Sequence, residues 1–229
     1  MRLLLLWDID GTLISSGGAG MRALQHGLDN AFGINGLLDD IEFAGRTDRW
    51  IMRQIFGKFG LPPTEENFLR YTEAYLAALP AAMAGGSARV LPGARELVLA
   101  AAGRPQVAQG LLTGNLRRGA QVKLGFHGLW DPFAFGAFGD DSELRNELGP
   151  HALVRARERH GVEFAARQVW VIGDTPHDIA CAKAIGANSL ALATGQHSLD
   201  ALRAHAPTAG LRDLGDPAAF WAAVAGAPD

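Results

Sequence analysis

Asp8 and Asp10 stand one residue apart in MRLLLLWDIDGTLISSGG, and Gly11 follows at once. The pair ends an apolar run, Leu3 to Trp7. Carboxylates so placed can hold a hard cation such as Mg²⁺ through oxygen. Two further polar groups share this setting. Thr113, Gly114 and Asn115 close the apolar stretch VAQGLL, and Asp174 closes QVWVIG with Asp178 shortly behind it. A threonine hydroxyl, an asparagine amide and backbone N–H groups can hold a phosphate. Asn115 also reads as the N-cap of the helix NLRRGAQVKLG, whose N-terminus favours an anion.

These groups need elements that bring them together. RLLLLWDID, VAQGLLTG, FAFGAFGD, QVWVIGD and NSLALATG read as short buried strands closed by Gly, Asp or Thr. Between them run helical segments such as PGARELVLAAAGR, GPHALVRARERHG and TPHDIACAKAIGA. Alternation of this kind predicts an α/β fold, a Rossmann-like doubly wound parallel sheet. Ligands of such sheets bind beyond the carboxyl ends of the strands, near the switch in strand order. The three polar groups are therefore expected to converge.

Residues 15–87 read differently. MRALQHGLDNAFG, TDRWIMRQIFGKFG and TEENFLRYTEAYLAALPAAM are helical, with no clear strand between them. Gly17, Gly18 and Gly20 loosen the entrance, and Gly85, Gly86 and Ser87 the exit. The expected organisation is an α/β core, residues 1–14 and 88–229, interrupted by a small all-α domain, residues 15–87. The end, LGDPAAFWAAVAGAPD, reads as a short closing helix and a frayed tail.

Composition narrows the function classes. The chain has 229 residues, 48% hydrophobic and 20% charged, with a formal net charge of −3. No general basic field is available for nucleic acid or an anionic membrane. One cysteine, Cys181, excludes an intrachain disulfide. The first apolar run is too short for a signal peptide and leads into acids. No stretch approaches the ~20 apolar residues of a membrane span. A soluble cytoplasmic protein is expected, as monomer or homodimer, with no nucleic acid or membrane partner.

DIDGT at 8–12, LLTGN at 111–115 and VIGDTPHD at 171–178 together resemble the first, second and fourth motifs of the haloacid dehalogenase superfamily. The helical segment sits where that family carries its C1 cap. The resemblance spans essentially the whole chain and implies a Mg²⁺-dependent phosphatase working through an aspartyl-phosphate. It makes Asp8 the nucleophile and Asp10 the general acid–base. It makes Asp8, the backbone carbonyl of Asp10, and Asp174 metal ligands, with Asp178 a ligand or its supporting partner. Thr113, Gly114 and Asn115 would bind phosphate. Asp10 favours phosphate esters over alkyl halides, because a halide needs no proton on leaving.

The third motif departs from the pattern. The family expects a lysine or arginine there, often as Lys-Pro, and no Lys-Pro occurs. Lys123 follows the second motif too closely, and Lys183 lies after the fourth. In GDDSELRNELGPHAL the cation is Arg145, which takes the role, as a fixed fork in place of a point charge. AGRTDRW at 44–50 is similar to the cap loop of phosphoglycolate-phosphatase-like proteins, which makes Arg46 the contact to a substrate's anionic group, with Arg49 and Trp50 as further contributors.

Plainer readings stand beside these. Thr175 to Asp178 also fits a capping box with Pro176 as first helical residue. His177 reads as a solvent-facing histidine, Cys181 as packing, Trp50 and Trp130 as packing, and Arg117 and Arg118 as a solvated helix face. The function expected is hydrolysis of a small, phosphoglycolate-like phosphomonoester. A phosphomutase shares the motifs. A dehalogenase is disfavoured by Asp10, and a receiver-type signalling module by length and by the missing late lysine.

Overall fold

The computed structural model describes residues 3–225; Arg2 and the expected tail lie outside them. Six parallel strands form the main sheet: β1 Leu3–Trp7, β4 Val107–Leu112, β5 Gly136–Ala137, β6 Val169–Gly173, β7 Asn188–Leu192 and β8 Ala209–Leu211. Their spatial order is β5-β4-β1-β6-β7-β8. The chain leaves β1 for β4 and β5 on one side, then returns to β6, β7 and β8 on the other. The order therefore switches at β1, where the first acid pair emerges.

β1 is apolar throughout because both its faces are covered. Leu5 and Trp7 enter one core cluster, while Leu4 and Leu6 enter the other. The covering helices are α4 Ala94–Ala102, α5 Arg117–Phe126, α6 Leu148–His160, α7 Pro176–Ala184, α8 Leu199–Arg203 and α9 Pro217–Ala225. Phe220 of the closing helix α9 stacks on Trp7, ring centroids 5.5 Å apart.

Three helices fill the stretch between β1 and α4: α1 Ala19–Phe32, α2 Asp48–Phe59 and α3 Glu65–Ala84. Their apolar residues join the core cluster that also holds Leu5 and Trp7. Phe32, Phe56 and Tyr71 meet with ring centroids 5.7 to 5.9 Å apart, and Tyr71 Oη donates to Leu24 O at 2.9 Å. Gly27 lets α1 approach α3 so closely that a Cβ there would stand 2.9 Å from Tyr75 N.

The parallel α/β sheet matches the expected fold class. Three strands were not anticipated. β2 Ile14–Ser15 and β3 Arg89–Val90 pair antiparallel and join the two ends of the helical segment. The joints expected to be loose are thus held side by side, although Gly17 and Gly18 do take positive φ. β8 is three residues long and half-buried, and the expected strand FAFGAFGD contracts to two paired residues, β5. Edge strands this short carry too few alternations for periodicity to reveal.

Candidate active site

Every polar group singled out at a strand end lies just past the carboxyl end of β1, β4 or β6. Asp8 N donates to Ile172 O at 2.9 Å, extending the β1–β6 ladder by one residue. This brings Asp8 beside Asp174. Carboxylate oxygens of Asp8, Asp174 and Asp178 lie within 4.8 Å of one another, and all three residues are buried.

Arg145 is the cation of this group. It sits in a short 3-10 helix, Arg145–Glu147, and is itself buried. Its Nη2 lies 3.0 Å from Asp8 Oδ1 and also donates to Asp178 Oδ1. Its Nη1 donates to Gly45 O at 3.2 Å. Cys181, buried as packing, donates from Sγ to Arg145 O at 3.3 Å. Asp178 reaches back to Thr175: its Oδ2 accepts from Thr175 N at 3.0 Å and from Thr175 Oγ1 at 2.7 Å. That is the backward half of a capping box, so Asp178 supports both Arg145 and the start of α7.

Three carboxylates against one guanidinium leave the cluster short of positive charge. Burial pushes the Asp174 carboxyl up to about 8, with Asp178 and Asp8 adding to the rise. Burial also raises Asp8 to about 6, against the pull of Arg145. Glycines make room for these acids. A Cβ on Gly195 would stand 1.7 Å from Asp174 Oδ2, and one on Gly11 2.4 Å from the same atom.

Asp10 turns to a different partner. Its Oδ2 accepts from Lys123 Nζ at 2.6 Å and from Asn115 Nδ2 at 2.9 Å. Asn115 Oδ1 accepts from Lys123 at 2.5 Å, and Asn115 Nδ2 donates to Thr113 Oγ1 at 2.9 Å. Burial would raise the Asp10 carboxyl, but Lys123 and Asn115 override it and hold it below its ordinary value.

One reading needs correction here, and two residues were passed over. Lys123, set aside as the third-motif cation, lines the cavity and pairs with Asp10. It lies in the second turn of α5, and helical side chains lean toward the helix N-terminus, so its stem returns to Asn115. Asn115 is not the N-cap of α5. That position is Leu116, because the Asn115 side chain is spent on Asp10, Thr113 and Lys123. The free N–H groups of the helix start go to carboxylates: Leu116 N donates to Asp48 Oδ2 at 2.8 Å and Arg117 N to Asp140 Oδ2 at 2.5 Å.

Asp48 was the other residue passed over. It opens α2 inside GRTD, and its backbone N also donates to Gly114 O at 2.7 Å. Thr47 caps α2 through Trp50 N at 3.1 Å and donates to Glu143 O at 2.6 Å. Gly114 is the contact point: a Cβ there would stand 2.1 Å from Arg46 O. Arg46 lines the cavity, but its guanidinium is bound to Glu42 through Nε at 3.0 Å and Nη2 at 2.7 Å and lies over Trp50 at 4.3 Å. Arg49 pairs with Glu65, and His177 lies 3.4 Å from Glu42. Arg118 pairs with Glu73 of α3, while Trp130 packs near Phe138. Thr194 was quoted only as strand; its Oγ1 donates to Gly11 O at 2.5 Å and so fixes the loop carrying Asp10. The signal was a second Thr-Gly after an apolar run.

The cluster faces a cavity of about 340 Å³ between the sheet edge and the helical segment. Met21, Leu24, Phe43 and Ile51 form its apolar wall. The model of the haloacid dehalogenase-like hydrolases matches residues 5–183, which hold all of these acids.

The chain belongs to that family.

This hydrolase is 30% identical over 200 residues to a phosphoglycolate phosphatase from Rhodospirillum rubrum, covering 83% of this chain and 79% of the relative. Its fold is shared with CbbY from Rhodobacter sphaeroides, solved with phosphate, at TM-score 0.73 and 18% identity, over 94% of this chain and 96% of the other. It is shared as well with a hydrolase from Pseudomonas syringae, at TM-score 0.69 and 19% identity, over 96% and 98%. No helix of this hydrolase among the described residues is long and apolar enough to cross a membrane.

Proposed function

We propose that this protein hydrolyses a small phosphomonoester with the help of Mg²⁺, through an aspartyl-phosphate on Asp8. The observation that carries the reading is the division of labour between the two acids of DIDGT. Asp8 faces Arg145 in an acid cluster, while Asp10 is held apart by Lys123 and Asn115. Attack and proton transfer need two carboxylates in different environments. The relative named as a phosphoglycolate phosphatase supports phosphate-ester chemistry and a small substrate.

The donor set fits a hard divalent cation. Asp8 and Asp174 offer oxygens in a cluster short of positive charge, and Asp10 Oδ1 is buried without a partner. When bound, Mg²⁺ supplies positive charge against the phosphoryl oxygens. Asp178, engaged by Arg145 and Thr175, serves as the residue that positions both.

The chain's own groups do the rest. Asp8, ionised above about pH 6, attacks phosphorus and forms the acyl-phosphate bond as the ester P–O bond breaks. Arg145 holds Asp8 in place and meets the transferred group. Thr113 and Gly114 offer hydroxyl and backbone N–H to the phosphoryl oxygens, while Asn115, expected to bind phosphate itself, has its amide engaged by Asp10, Thr113 and Lys123 and so positions that loop. Lys123 keeps Asp10 as carboxylate, which suits its role as base for the hydrolytic water. For its acid role in the first half, Asp10 must first take a proton from solvent against that ion pair; it gives this proton to the ester oxygen as the P–O bond breaks and is left as the carboxylate. Residues 15–87 act as a cap whose docking through Thr47 and Asp48 excludes water during transfer.

The test is turnover of p-nitrophenyl phosphate with Mg²⁺. Asp8→Asn is expected to abolish it, and EDTA to silence the wild type until Mg²⁺ is restored. Full activity in Asp8→Asn overturns the nucleophile assignment, and indifference to chelation overturns the metal.

A further inference from the structure

The cavity is lined by two polar groups. One is Asp8 and Asp174 with Arg145; the other is Asp10, Asn115 and Asp48 with Lys123. We propose that Lys123 and Asp48 form the recognition pair for the leaving group, and that they select a neutral hydroxyl-bearing one, as in a polyol or sugar phosphate, over one carrying a carboxylate. This rests on the phosphatase reading above.

The first support is the hydrogen-bond inventory. An ammonium carries three N–H donors. Lys123 uses two, on Asp10 and Asn115, and no third acceptor meets it among the described residues. Asp48 accepts from Leu116 N with Oδ2, and its other oxygen accepts no hydrogen bond among the described residues. Both residues line the cavity. Gly119 and Lys123, four apart, share one face of α5. A Cβ on Gly119 would stand 3.8 Å from Asp48 Oδ2, so Asp48 lies over the face that carries Lys123. A hydroxyl both donates and accepts, and so fits a spare acceptor beside a spare donor.

The second support is charge. In the second group two carboxylates, Asp10 and Asp48, face one ammonium, so no positive charge is left over for an anionic leaving group. Arg46, the cation expected to supply it, lies over Trp50 and is paired with the exposed Glu42, so its charge is matched by a neighbouring carboxylate. Arg145 is committed in the first group to Asp8 and Asp178. The apolar wall of Met21, Leu24, Phe43 and Ile51 offers no side-chain donor, and the further polar lining residues Ser16, Thr175 and Gln196 offer donors but no charge. A substrate carboxylate would therefore meet Asp48 without a compensating charge, which like charges in a confined site make costly.

The experiment compares kcat/KM for glycerol 1-phosphate, 2-phosphoglycolate and p-nitrophenyl phosphate with Mg²⁺. The wild type is expected to favour glycerol 1-phosphate over 2-phosphoglycolate by about tenfold or more, a difference of about 1.4 kcal/mol. Asp48→Asn, which keeps an acceptor for Leu116 N, should shrink that ratio. Met21→Lys, at a wall position 37% exposed, adds a cation and should shift preference toward 2-phosphoglycolate even if Asp48→Asn does not fold. A wild-type preference for 2-phosphoglycolate, or a ratio unmoved by Met21→Lys, overturns the proposal while leaving the phosphatase reading intact. No turnover of p-nitrophenyl phosphate by the wild type overturns both.

Discussion

Lys123 Nζ lies 2.6 Å from Asp10 Oδ2 across 113 residues of sequence, while Arg145 Nη2 lies 3.0 Å from Asp8 Oδ1. The site thus gives each acid of the pair its own cation, Asp8 with Arg145 and Asp10 with Lys123.

Arg145 is buried between Asp8 and Asp178. Removing one partner of a buried pair leaves charge uncompensated and costs about 3–5 kcal/mol. Arg145→Ala is expected to lose about that much stability by urea denaturation and to lose most turnover of p-nitrophenyl phosphate. A wild-type rate would mean that the third-motif cation lies elsewhere.

The raised carboxyls of Asp174 and Asp8 make stability depend on pH. A carboxyl raised above its ordinary value of 3.8 binds its proton more tightly when folded. Its contribution is full below that value. It fades as pH rises through about 6 for Asp8 and about 8 for Asp174. On the proposed metal reading, Mg²⁺ would take the place of the lost protons. The gain in Tm from Mg²⁺ over EDTA should therefore grow from about pH 5 to about pH 8. A gain that is flat with pH would contradict this.

Gly195 passes so close to Asp174 that a Cβ would stand 1.7 Å from Oδ2. Gly195→Ala must displace the carboxylate or the loop. Misplaced metal-site groups typically lose about ten- to hundredfold in affinity or activity. A matching rise in the Mg²⁺ needed for half-maximal turnover, with an unchanged circular dichroism spectrum, is expected. An unshifted Mg²⁺ requirement would remove Asp174 from the metal site.

Phe220 stacks on Trp7, and both are fully buried. Phe220→Ala should destabilise the protein by about 3–5 kcal/mol. Because Trp7 only supports the strand that delivers Asp8, kcat at 25 °C should stay near the wild-type value. A parallel loss of kcat would show that the stack also sets the position of Asp8.

Local pattern was enough for much of this. RLLLLW, VAQGLL and VWVIG are apolar without a break because strands covered on both faces carry no polar side. Each ends in Gly, Asp or Thr, so the three polar groups could be assigned to one edge. Arg145 was reachable too, as the cation of the segment before α6. The short strands β2, β3 and β8 were not, since two or three residues show no period. Lys123 and Asp48 were missed for another reason. Each looks like an ordinary helix residue, and only the return of a side chain along α5, or the docking of α2 on Gly114, brings it to the acids.

The sequence alone therefore determined which acids stand at the sheet edge and which strands deliver them, because strand ends and their chemistry are local. Only the tertiary structure decided how the acids are partnered. Pairing depends on distance between segments far apart in the chain, and it separates Asp8 with Arg145 from Asp10 with Lys123. It also commits Arg46 to Glu42, and so decides what charge is left to meet a substrate.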